Sequence, residues 1–170
     1  MSRRHRAARC PLRHQDGSVI MEFPILAIPF LMALFAVIEL GYSQFLNTVL
    51  DIGVDEAARQ VRTGQVQVAD DALGMFKRIL CDRVGEVMGC DRLIIDVANF
   101  TTFNGVNAFA APDINATQFT PGGAGDIVVA RVAYPWTFST PLIGDAMADW
   151  SGNLVSSAVF RNEPFEGPPR

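Results

Sequence analysis

From Val19 to Leu40 the chain reads VIMEFPILAIPFLMALFAVIEL, with Glu22 and Glu39 near the two ends and only uncharged residues between them. At 1.5 Å rise per residue, about 20 apolar residues cross a hydrocarbon core of roughly 30 Å, so this run predicts a transmembrane helix. A signal-peptide core of about 7 to 15 residues would be shorter. No small-residue cleavage motif follows the run, and the sequence continues as GYSQFLNTVLDIG with helical character, so the span is expected to be retained. Glu39 would cost about 2.5 to 3.5 kcal/mol at mid-bilayer, which places it at the outer boundary. Pro24 and Pro29 each remove a backbone donor, at a cost of about 3 kcal/mol in a helix interior unless neighbours compensate, and predict local kinking or melting.

Past the span, Phe45, Val49, Ile52 and Ala57 continue at helical spacing, and Gly64 is placed to end the helix. A second, amphipathic helix is predicted over residues 68–88. Its stripe is Leu73, Phe76, Leu80, Val84 and Val87, and Asp70 is available as N-cap. Strands are predicted over 93–100, with Leu93, Ile95 and Val97 on one side, over 126–136, with Val128, Ala130, Val132, Tyr134 and Trp136 together, and over 154–161. The fold class is therefore α+β: a long N-terminal transmembrane helix, a second amphipathic helix and a small antiparallel sheet. The expected organisation is a basic leader over 1–17, the membrane and continuing helix over 18–64, and one exported domain over 65–170.

Charge orients this arrangement. Arg3, Arg4, Arg6, Arg9 and Arg13 and a single acid, Asp16, precede Gly17, which leaves 9 basic against 17 acidic groups, a formal charge of −8. Basic residues before the span and acids after it put the N-terminus in the cytoplasm and the C-terminal domain on the periplasmic or extracellular side. An acidic domain repels nucleic acid, so no nucleic-acid partner is expected.

His5 and His14, the only histidines, both lie in the leader, so the domain has no histidine for a Ser-His-Asp triad or a metal site, and Lys77 is its only lysine. Asp70/Asp71 and Asp145/Asp149 read as solvated caps, and Gly122, Gly123 and Gly125 as a turn without the lysine of a phosphate loop. No enzyme activity, cofactor or metal is expected. Cys81 and Cys90 fall in a compartment that would be oxidising. They are either bonded, closing a loop worth roughly 2 to 3 kcal/mol, or two buried thiols. Cys10, in the leader without a preceding apolar stretch, does not look like a lipoprotein cysteine.

Gly17-Ser18-Val19-Ile20-Met21-Glu22-Phe23 joins the arginine-rich leader to the span and resembles a type IV prepilin processing site. The resemblance implies that prepilin peptidase cuts between Gly17 and Ser18, and that Glu22, four residues from the new N-terminus, neutralises its amine. Flp-type pilins usually carry tyrosine after the glutamate, where this chain has Phe23. Over a longer reach, Glu22-Phe23, Pro29, Ile38 to Gly41 and AARQVRTG at Ala57 to Gly64 resemble the TadE family of the tight-adherence pilus system. The later segments GDIVVARVAYPW and AVFRNEPF look like that family too.

The resemblance implies a pilin-like fold and a pseudopilin of the bacterial inner membrane acting in pilus assembly or secretion. Glu22, Pro24 and Pro29 would then lie at subunit or helix packing. Other pseudopilins, the Flp-type pilin, the inner-membrane assembly platform and the lipid bilayer would be its partners. The competing expectation is an unprocessed single-pass protein whose exported binding or adhesion module uses exposed Tyr134, Trp136 and Trp150.

Overall fold

A single helix, α1 (Asp16–Arg62), runs through most of the first third of the chain and belongs to two compact units, residues 1–37 and 38–170. The computed structural model describes residues 16–107, 117–140, 144–145 and 152–165, with side chains from Glu22 onward. The leader up to residue 15, Asp149 and Trp150 lie outside the described residues, as do the side chains of Gly17 and Ser18.

In the first unit the helix is apolar on all sides. Phe23, Ile25, Leu26, Ile28, Phe30, Leu31, Leu34, Phe35 and Val37 are all exposed. The helix is long and apolar enough to cross a membrane, with a mean hydropathy of 2.3 in an 18-residue window. A helix that is hydrophobic all round is at home in lipid rather than water. Pro24 and Pro29 free the carbonyls of Ile20 and Ile25 from their usual donors, yet the helix continues unbroken through both, so the expected melting does not occur.

In the second unit α1 acquires a buried stripe of Leu46, Leu50, Val54, Ala57 and Val61, spaced by three and four residues. Phe45 and Ile52, read as part of the helical continuation, point away from it and stay exposed. The phase is set by Gly53, where a Cβ would come within 2.9 Å of Val84 Cγ1 and 3.0 Å of Leu80 Cδ1, so the missing side chain lets the second helix approach closely.

That helix, α2, covers Ala72–Val84, shorter at both ends than the predicted 68–88. Its N-cap is Asp71 rather than Asp70: the Asp71 carboxylate accepts the Gly74 backbone N–H at 2.8 Å. Phe76, Leu80 and Val84 are fully buried, whereas Leu73 and Val87 stay exposed because a 13-residue helix commits only its inner turns to the core. A 3-10 turn, Cys90–Arg92, brings Cys90 back to Cys81. The sulfurs stand at bonding distance, with Cα atoms 5.8 Å apart, inside the usual disulfide range.

The helices cover one face of a four-stranded sheet of order β2-β1-β3-β4. Strands β1 (Ile94–Phe100), β3 (Ile127–Trp136) and β4 (Gly152–Arg161) pair antiparallel, in the three places predicted. A two-residue strand, β2 (Gln118–Phe119), adds a parallel edge, making the sheet mixed, and carries Phe119 against Phe76 with centroids 5.4 Å apart. Between β1 and β2 lies a short helix, α3 (Phe103–Asn107). The alternation places Ile95, Val97, Val128, Ala130, Val132 and Tyr134 in the core. On the opposite face, Asp96 and Arg131 are register partners and form an ion pair, with side chains only 7% and 13% exposed. Removing one member of such a buried pair costs about 3 to 5 kcal/mol.

The end of α1 is closed by residues from the other end of the fold. Gly64 adopts φ +81°, its N–H donates to Val61 O at 3.0 Å, and the Gln65 N–H donates to Gln60 O at 3.1 Å, a Schellman turn. The Phe165 ring lies against Gly64, where a Cβ would meet Phe165 Cγ at 2.3 Å.

Gly64→Ala is therefore penalised twice, by its backbone conformation and by the ring, and is expected to lower the unfolding free energy by more than about 1 kcal/mol. Adding Phe165→Ala should relieve the second part, so the double variant loses less than the sum of the singles in urea unfolding of detergent-solubilised protein. For the cysteines, intact mass should rise by two hydrogen atoms on reduction. Replacing both with serine should cost roughly 2 to 3 kcal/mol in the same assay.

Candidate functional site

Two regions carry the residues singled out from sequence, and they lie in different units. The first is the start of α1. The Gly17–Ser18 bond sits at the start of the described part of α1, Asp16–Arg62. Glu22 and Phe23 follow on exposed positions about one turn on, and Leu26 and Pro29 share the Glu22 face by their spacing. Phe23, Leu26, Ala27, Phe30 and Leu31 line a shallow apolar concavity along one side of the helix. Large residues flank the small Ala27 at intervals of three and four, the arrangement into which a side chain of a second helix can insert. Pro24 and Pro29 stand on the exposed surface of the same segment.

The second region is the end of α1, where the AARQVRTG segment meets the last residues of AVFRNEPF. The Glu163 N–H donates to the otherwise open Arg62 carbonyl at 2.9 Å, and the Arg62 guanidinium pairs with the Glu163 carboxylate at 3.3 Å. One turn earlier, the Arg59 guanidinium donates to Glu56 Oε1 at 2.6 Å and holds the Glu56 carboxyl below the usual carboxylate range, with Gln60 adding a second donor. The Glu56–Arg59 pair faces water and contributes little to stability.

Below this junction Asn162 is buried. Its Nδ2 donates to Pro121 O at 3.0 Å and Gly123 O at 2.9 Å, and its backbone N–H to Asp126 O at 2.9 Å. Asp126 in turn accepts from the Gly123 N–H at 2.8 Å and Asn99 Nδ2 at 3.1 Å. The glycine turn before β3 is thus a structural joint held by two side chains.

Of the aromatic residues expected to form an adhesive surface, Tyr134 and Trp136 are described, and they do not share an exposed face. Tyr134 is buried, 4% exposed, with Arg92 stacked over its ring at 4.6 Å and hydrogen-bonded to its hydroxyl. Its alternation with Val128, Ala130 and Val132 carries it into the core. Trp136 is half-buried and meets Phe138 edge-on at 4.6 Å. Sequence reading missed the Asn162 and Asp126 joint, the Asp96–Arg131 pair and the Glu39–Thr140 contact. The signal for Asp96 and Arg131 was present, since both break apolar alternations on the same non-core side of their strands.

Residues 17–59 match the family model described as TadE-like protein. No curated protein and no solved structure matches the chain. The matched segment begins at the Gly17–Ser18 bond, takes in the exposed apolar helix and ends at Arg59, three residues before α1 terminates. This segment, which carries the candidate membrane span and the Gly17–Ser18 bond, is similar to the TadE-like family.

Proposed function

We propose that this protein is a membrane-anchored, pseudopilin-like component of Tad (Flp-type) pilus biogenesis, acting in pilus assembly or secretion without enzymatic activity. The observation that carries the reading is the coincidence of the TadE-like match over residues 17–59 with a helix whose first part exposes apolar side chains on all sides. Such a surface is stable only against lipid or other apolar helices. The basic leader keeps the N-terminus in the cytoplasm, and the acidic C-terminal domain lies beyond the inner membrane. Prepilin peptidase cuts between Gly17 and Ser18, the new Ser18 ammonium is neutralised by Glu22, and the seam around Ala27 packs against helices of other pseudopilins or the Flp-type pilin. The assembly platform in the inner membrane is the site of that exchange. The competing adhesion reading loses Tyr134, which the core absorbs.

Intact mass of the membrane-extracted protein tests processing. Co-expression with the peptidase should yield a species beginning at Ser18, and Gly17→Val should retain the leader. An uncut leader in the presence of active peptidase would refute this step. Glu22→Gln should leave the protein in the membrane fraction while reducing the pilin subunits that co-purify with it; unchanged co-purification would remove Glu22 from subunit recruitment.

A further inference from the structure

Glu39 is the first charged residue after the apolar run, and the fold does not leave it to solvent. It is buried, and its Oε1 accepts the Thr140 backbone N–H at 2.6 Å. That bond holds the segment following β3 onto α1 one residue beyond the end of the apolar run. From Ser18 to Ile38 the helix is about 31 Å long, the thickness of a bilayer's hydrocarbon core. A helix anchored by that stretch leaves the hydrocarbon at Glu39, so the segment tied to Glu39 stands at the depth of the headgroups.

The composition there suits that depth. Trp136 ends β3, and its ring meets Phe138 edge-on, both rings being partly exposed. Thr137, Phe138, Ser139 and Thr140 carry no charge. On the helix, Tyr42 and Phe45 follow Glu39 within two turns, both exposed, with ring centroids 6.4 Å apart. Tryptophan and tyrosine favour the membrane–water boundary because their rings have an apolar body and a polar handle.

We propose that the segment from Trp136 to Thr140, together with Tyr42, docks on the interfacial layer of the bilayer that anchors α1, with the Glu39–Thr140 hydrogen bond as its latch. The proposal rests on the membrane anchoring set out under the proposed function.

The full chain carrying Trp150→Phe keeps Trp136 as its one tryptophan. It would be reconstituted in phosphatidylcholine and phosphatidylglycerol vesicles, with or without bromines near the headgroup end of the acyl chains. Trp136 emission should be blue-shifted, quenched by the brominated lipid and shielded from iodide. Glu39→Ala should reduce the lipid quenching. A second reporter, Phe138→Trp with both natural tryptophans changed to phenylalanine, guards against a local effect of the first variant and should be quenched as well. Equal emission from both reporters in brominated and plain vesicles would overturn the docking. Flotation of the same samples separates the two readings: protein that floats without quenching sinks the docking alone, whereas protein that fails to float sinks the anchoring and the docking with it.

Discussion

A backbone that can enter hydrocarbon must satisfy its hydrogen bonds internally, and α1, long and apolar enough to cross a membrane, meets that requirement while serving both units of this protein. Having closed its own bonds, α1 continues from an apolar-surfaced first part into a domain without interruption, and only its side chains change their allegiance. From Glu22 to Val37 they face outward on every side; from Leu46 they divide into a buried stripe and a wet face. Gly53 and Gly64 then do opposite things. One removes a side chain so that α2 can come close, and the other turns the backbone so that the helix can stop.

The reading from sequence was strongest where one periodicity ran for many residues. The span, the three antiparallel strands and the inward set on β3 from Val128 to Trp136 follow from runs in which every second or every third to fourth residue agrees. It weakened where a single contact decides. Asp70 and Asp71 are the same residue type in adjacent positions, and only the turn of the backbone makes Asp71 the acceptor for Gly74. Tyr134 belongs to the inward set of its own strand and is not a surface aromatic, since a phenol can be buried when a partner such as Arg92 meets its hydroxyl. The strand β2 had no legible signal, since two residues are too few for a pattern and depend on β1 for their hydrogen bonds.

Two stretches far apart along the chain, AARQVRTG and AVFRNEPF, prove to be neighbours. Arg62 and Gly64 from the first meet Glu163 and Phe165 from the second, through an ion pair, a backbone hydrogen bond and a ring laid on a glycine. This gives the later stretch a physical task, closing the helix, that needs no ligand. Asn162 and Asp126 extend the same joint to the turn before β3. Much of the polar chemistry in the described part of the domain is thus spent on holding its own shape.

The closure of α1 by residues 162–165 also sets an order of events. A ribosome makes the helix early, but the carbonyl of Arg62 receives its partner only when the chain has been extended by about a hundred further residues. Until then the sheet lacks β4, and nothing covers Gly64. A polypeptide built this way cannot close the end of its first helix until its last strand has been made, so the longest element of the fold waits on one of the latest.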